Sequence, residues 1–187
     1  DGSNDAGERN VISANYNGVA LEDAEVTGNT VAGNYIGTDA TGLLDRGNVH
    51  DGVLIQNGAN ANTIGGTVAA DRNVLSGNVN AGVSISGSSN LVIGNYIGTD
   101  ATGLLDRGSS GGDGVDVYGG SGNRIGGTTA AERNIISGNN RQGIELYGAA
   151  TGVQVQGNYI GTDATGTQTL GNGQGGIWVG MGTANHT

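Results

Sequence analysis

The sequence predicts an all-β fold, a parallel β-helix in which short strands stack into a solenoid of about six turns of roughly 31 residues. Three observations carry that expectation: a long internal repeat, a shorter beat inside it, and a composition unsuited to a core of large side chains. The segment GNYIGTDATG begins at Gly33, Gly94 and Gly157, so its copies lie 61 and 63 residues apart. A second segment reads ERNVISAN from Glu8, DRNVLSGN from Asp71 and ERNIISGN from Glu132. A third reads NTIGGT from Asn62 and NRIGGT from Asn123. Three repeats of about 62 residues therefore span 1–187 as one solenoid domain.

The shorter beat defines the turns. The pattern Gly, apolar, any, apolar recurs at Gly18, Gly52, Gly82, Gly114, Gly143 and Gly176. Alternating β-branched residues bounded by Gly, Asn and Asp read as short strands. Equivalent strands stacked about 4.8 Å apart give two inward rows. The first holds Val19, Val53, Val83, Val115, Ile144 and Ile177; the second holds Leu21, Ile55, Ile85, Val117, Leu146 and Val179. Every member is aliphatic, and burying each contributes roughly 1.5–3 kcal/mol. The pairs Gly33–Asn34, Gly94–Asn95 and Gly157–Asn158 read as corners with positive φ. Asn residues above one another can form hydrogen-bonded ladders.

Composition narrows the function classes. The chain has 187 residues, 40 of them Gly, with no Pro, Cys or Phe, and all seven basic residues are Arg. A net charge of −10 argues against nucleic acid and anionic membrane surfaces, where basic groups must neutralise phosphate. The absence of Cys removes any disulfide framework. No apolar run approaches the roughly 18–20 residues of a membrane span, so no membrane insertion is expected.

The loop GTDATG occurs three times, and a catalytic constellation is needed only once. Its Asp39, Asp100 and Asp163 are expected to close Asx-type turns. A calcium ion in each loop is the alternative, requiring about 6–8 oxygens; no other cofactor is expected. The steps Glu8–Arg9, Asp45–Arg46, Asp71–Arg72, Asp106–Arg107 and Glu132–Arg133 suggest a ladder of ion pairs between neighbouring turns.

Function is better sought where the repeats differ. The outward row between the two inward rows runs Ala20, Leu54, Ser84, Asp116, Glu145, Trp178. Two residues on, it runs Glu22, Gln56, Ser86, Tyr118, Tyr147, Gly180. Asp116 and Glu145 on adjacent turns would stand about 5 Å apart, the carboxylate separation of a retaining glycosidase. Tyr118, Tyr147 and Trp178 flank them with faces that suit sugar rings. Three roles compete for this face: catalysis by Asp116 and Glu145, a non-catalytic glycan-binding patch, and a plain solvated surface. Neither histidine has a clustered second ligand: His50 stands beside Asp51 in a variable loop, and His186 is penultimate. Asn185-His186-Thr187 matches the N-glycosylation acceptor pattern.

The residues NTIGG, RNVLSGN and GVSISG resemble the parallel β-helix repeats of secreted bacterial proteins, a broad fold that includes pectate-lyase-like proteins. The NYIGTD segments resemble tandem repeats of bacterial cell-surface proteins. This resemblance implies a right-handed helix and an extracellular or cell-surface location. Polysaccharide lyases of that fold often use a Lys or Arg base with calcium-binding Asp residues. Lys is absent here and no lyase motif is visible, so the sequence leans away from an enzyme.

The ends look in phase. Asn185-His186-Thr187 aligns with Asn62-Thr63-Ile64, and Asp1-Gly2-Ser3 with Ile64-Gly65-Gly66. A segment of a longer solenoid, or copies stacked head to tail into a filament, would explain it. The expected function is a structural fibre subunit or stalk that spaces, coats or adheres through strand stacking; the alternative is a carbohydrate-binding or carbohydrate-active β-helix.

Overall fold

A computed structural model of the chain describes residues 7–187. Its first turn contains β1 (Val11–Ile12), β2 (Val19–Glu22) and β3 (Thr30–Val31). The second contains β4 (Tyr35–Ile36), β5 (Val53–Gln56) and β6 (Thr63–Gly65), and the third β7 (Val74–Leu75), β8 (Val83–Ile85) and β9 (Leu91–Ile93). The fourth contains β10 (Tyr96–Ile97), β11 (Val115–Val117) and β12 (Arg124–Gly126). The fifth contains β13 (Ile135–Ile136), β14 (Gln142–Leu146) and β15 (Gln154–Gln156); β16 (Tyr159–Ile160) and β17 (Gly175–Val179) follow. Every third strand pairs in parallel, giving two six-stranded sheets and one of five strands. The architecture is the expected parallel β-solenoid, with about five complete turns rather than six, because the last strand set lacks its third member among the described residues. Two single-turn 3₁₀ segments, Ala69–Asp71 and Ala130–Glu132, precede β7 and β13.

The register of the central sheet is the one the two aliphatic rows require. Val19, Val53, Val83, Val115, Ile144 and Ile177 stand opposite one another in sequence, as do Leu21, Ile55, Ile85, Val117, Leu146 and Val179. The middle four residues of each row are fully or almost fully buried. At the edge, Ile177 and Val179 are 49% and 54% exposed. Position along the stack, more than side-chain type, decides burial.

Close packing explains the recurring glycine at Gly18, Gly52, Gly82, Gly114 and Gly143, whereas Gly176, on the last strand of the stack, has room for a Cβ. Gly82 has ordinary negative-φ geometry, yet a Cβ there would stand 2.6 Å from Ile97 Cγ2 and 2.7 Å from the carbonyl oxygen of Gly114. Gly114 meets the same obstruction from Ile136 and Gly143. The corner glycines have the other cause: Gly33, Gly94 and Gly157 adopt φ of 75°, 71° and 66°.

The corners carry the anticipated ladders. Each Asn side chain donates to the Oδ1 of the next rung along Asn10, Asn34, Asn73, Asn95, Asn134 and Asn158. A second ladder runs Asn29, Asn62, Asn90, Asn123. A third joins Asn15, Asn48 and Asn78, is interrupted by Ser109, and resumes at Asn139 and Asn172. The same Oδ1 atoms also accept the backbone N–H of the preceding rung, as Asn34 accepts that of Asn10 and Asn95 that of Asn73, which satisfies corner backbone groups outside the strand ladders.

Two expectations need correction. Among the described residues, the acidic–Arg steps do not build a continuous ion-pair ladder. Arg9, Arg72 and Arg133 instead lie over the rings of Tyr35, Tyr96 and Tyr159 at 4.1, 4.2 and 4.1 Å. Their Nε groups donate to the corner carbonyls of Gly33, Gly94 and Gly157. Of the expected ladder, Arg107 does approach Asp45, at 3.9 Å, whereas Glu132 pairs with Arg124 at 2.8 Å. The aromatic face on the same corner captures the guanidinium.

The second correction is a one-residue shift near the end of the sequence. His186, not Asn185, takes the rung equivalent to Asn62, and its Nδ1 accepts the Val153 N–H at 3.2 Å. Asn185 has φ of 59° and fills the left-handed corner occupied by Ala61 two repeats earlier, at 54°. Asp1–Ser3, which the sequence aligns with Ile64–Gly66, lie outside the described residues.

Candidate functional site

The outward row has the expected register, with Leu54 beside Ser84, Ser84 beside Asp116, Asp116 beside Glu145 and Glu145 beside Trp178. It is not an exposed strip. Asp116 is 9% exposed, Glu145 8% and Ser84 3%. The chain rises on both sides of the row and leaves a cleft of about 220 Å³. One wall comes from the segments leading into the strands, with His50, Asp51 and Asn80; the other carries Gln56, Tyr118 and Tyr147. Leu54, Ser84 and Asp116 form the floor.

Strand alternation explains the placement. Val115 and Val117 turn into the core, so Asp116 between them must face outward. Tyr118 and Tyr147 leave adjacent turns just beyond this strand, with ring centroids 6.1 Å apart and planes tilted by 31°. Tyr147 donates its hydroxyl to Asp116 Oδ2 at 3.4 Å, a long contact. Asp116 Oδ1 is buried and has no hydrogen-bond partner among the described residues.

The acidic surroundings perturb these groups strongly. Burial, followed by the charges of Asp113, Glu145 and Asp51, pushes the Asp116 carboxyl up to about 8; the Tyr147 bond opposes this. Glu145 is also raised, by burial and then by Asp113, against the pull of Arg141. Arg141 reaches Asp113 at 3.3 Å and Glu145 at 3.4 Å. Burial and the nearby Asp116 charge push the Tyr147 phenol up to about 12. At neutral pH Asp116 therefore retains its proton, and Tyr147 remains a neutral donor.

Asp51 anchors the opposite wall. Its Oδ1 accepts the Asn80 amide at 2.7 Å and the Ala81 N–H at 3.1 Å. Its Oδ2 lies 2.9 Å from His50 Nδ1, and the His50 ring stacks on Tyr16 at 5.2 Å between centroids. This neighbouring pair, assigned no role from sequence, thus belongs to the cleft wall. Extending the strand register upstream was the available signal: Asp51, Ala81, Asp113 and Gln142 occupy successive turns immediately before the recurring glycine.

Asp116, Tyr118 and Tyr147 converge in the cleft as a group. Glu145 is the next rung but does not line it, and its carboxylate is engaged by Arg141. Trp178 lies one rung further, 44% exposed and outside the cleft. The loop aspartates form a separate feature. Asp39 Oδ1 accepts the N–H groups of Thr41, Leu43 and Leu44, and Asp163 Oδ1 those of Thr165, Thr167 and Gln168. Asp100 Oδ1 accepts those of Leu104 and Leu105. Among the described residues, no group of three or more His, Asp or Glu side chains has the geometry to hold a metal ion.

Compared with known protein families, curated proteins and solved structures, the chain matches none.

Proposed function

We propose that the chain is a stiff β-solenoid scaffold at a cell surface or in the extracellular space, and that its cleft binds one residue of a saccharide. The observation that carries this reading is the convergence of Tyr118, Tyr147 and Asp116 on one small cleft. Two tilted rings offer apolar faces to a sugar ring, while Asp116, Gln56, Asn80 and Ser84 offer hydrogen bonds around it. A site of about 220 Å³ is smaller than the ~300–1,000 Å³ typical of a drug-sized ligand. It suits a single ring of a longer polymer.

Binding is favoured over turnover because Glu145, the prospective catalytic partner of Asp116, is held by Arg141 outside the cleft. Calorimetric titration with a panel of neutral and charged oligosaccharides tests the reading. A saccharide that binds the native chain and loses at least about tenfold in affinity on Tyr147→Ala supports it. Uniform failure across the panel sinks it. Turnover lost in the double variant Asp116→Ala, Glu145→Ala would instead establish catalysis and kinship with carbohydrate-active β-helices.

The edge of β17 favours a second role, self-association. Ile177 and Val179 are half exposed there, whereas equivalent residues on inner turns are buried. Another parallel strand set from a second copy would cover them and extend the rod head to tail as a fibre or stalk. Electron microscopy across concentrations tests this: filaments with an axial repeat of roughly 29 Å, six strand spacings, are expected. Separate short rods at every concentration would overturn it.

A further inference from the structure

The cleft is unusually acidic for its size. Asp51, Asp113, Asp116 and Glu145 are each at most 9% exposed and cluster around it. Arg141 is the cation facing them from the turn of β14, and it is committed to Asp113 and Glu145. His50 faces them from the opposite wall and is committed to Asp51. Among the described residues Asp116 stands between these pairs without a cationic partner, nine-tenths buried in the floor, with Oδ1 unbonded. An acidic cluster alone could be a solvated surface. A buried carboxyl with an unused oxygen, at the base of a formed cleft and under two aromatic rings, points to a missing donor that carries positive charge.

We propose that the cleft recognises a protonated amine carried on a sugar ring, that is, a 2-amino-2-deoxy sugar residue of a polysaccharide. This inference rests on the saccharide-binding reading and narrows its ligand class. The ammonium meets the Asp116 carboxylate, while the ring lies along Tyr118 and Tyr147, whose faces also attract a cation. A neutral hydroxyl at the same place gains no charge-assisted bond. An acetylated amine loses the charge and adds bulk in a cleft of about 220 Å³.

Proton movement provides an independent signature. In the empty cleft, burial and three neighbouring carboxylates keep Asp116 protonated at neutral pH. An arriving ammonium stabilises the carboxylate form, so binding below about pH 8 releases a proton from Asp116 to solvent.

The experiment is calorimetric titration of the full chain with three probes: a β-1,4-linked glucosamine tetramer, its fully N-acetylated counterpart and the glucose tetramer. At about pH 6, where an amine stays protonated, the glucosamine tetramer should bind at least about tenfold more tightly than either neutral probe. Repeating the titration in buffers of different ionisation enthalpy should reveal proton release. Asp116→Asn keeps the shape and hydrogen-bonding capacity of the side chain; it should remove both the preference and the proton release, with circular dichroism confirming an intact fold. Equal binding of all three probes would overturn the amine preference while leaving the saccharide reading intact. Binding of none of them, alongside binding of tetramethylammonium that Asp116→Asn abolishes, would overturn the sugar and retain only the cation site. A preference for glucosamine that persists in Asp116→Asn would overturn the assigned contact.

Discussion

Asp116 on one turn and Tyr147 on the next are joined by a hydroxyl-to-carboxyl contact of 3.4 Å, the sole polar support that the described residues give to a carboxyl pushed up to about 8. The pH dependence of stability follows from that number. The unfolded carboxyl ionises near 3.8, whereas the folded one holds its proton to about 8. Between these values the folded state binds more protons, so stability falls as pH rises. Below the lower value the contribution is fully present; above the upper one both states are ionised and no further loss occurs. The slope approaches roughly 1.4 kcal/mol per pH unit for this one group. Asp116→Asn should flatten it over that window and raise the urea midpoint near neutral pH. An unchanged slope in the variant would show that other groups set the dependence.

The inward rows set a second expectation. Val83 is completely buried in the middle of its row, between Val53 and Val115. Val83→Asp would place a carboxylate where no partner exists, at a cost on the order of 3–5 kcal/mol. That is a large share of the about 5–15 kcal/mol that holds a typical domain together. Loss of the cooperative urea transition, or a midpoint far below the native one, is the expected result. Val19→Asp, at the half-buried first rung, should be milder.

Much of this architecture was legible because a solenoid repeats its instructions. Val19 through Ile177 mark one row by identity and spacing alone, and their pairing follows without knowledge of the third dimension. Asp116 and Glu145 were likewise placed on adjacent rungs. What the sequence concealed was depth. Nothing in the residue order reveals that the segments bearing Asp51 and Asn80 rise beside the outward row, converting a strip into a cleft. The partners of Arg72 were also hidden: Tyr96 lies 24 residues away, and only the closed corner brings its ring under the guanidinium.

Position along an Asn ladder should determine the effect of losing a rung. The two N–H groups of the Asn95 amide are shared among Ile64 O at 2.8 Å, Ile93 O at 3.0 Å and Asn134 Oδ1 at 3.1 Å, and its Oδ1 accepts from the Asn73 side chain at 2.9 Å. It is wholly buried. Asn95→Ala strands several of these groups, each costing about 1–3 kcal/mol when unsatisfied. Asn95→Asp should also destabilise, because an ionised carboxylate accepts but cannot donate to the carbonyls. Asn10→Ala removes an exposed terminal rung and should change the urea midpoint by less than about 1 kcal/mol equivalent. Equal effects at both positions would show that the ladders do not stabilise through buried bonds.

The aspartate loops allow the turn and calcium readings to be separated directly. Asp100 Oδ1 accepts the Thr102 hydroxyl at 2.7 Å and the N–H groups of Leu104 and Leu105 at 3.1 and 3.2 Å. Those bonds leave one oxygen, Oδ2, without a partner. Asp100→Asn preserves the Oδ1 acceptor and should cost under about 1 kcal/mol, whereas Asp100→Ala should cost about 1–3 kcal/mol by releasing the turn. If the loop is held by these bonds alone, a chelator such as EDTA leaves the native Tm unchanged and added calcium does not raise it. A chelator-induced fall in Tm, abolished by Asp100→Asn, would instead assign calcium to the loop and make Oδ2 its ligand.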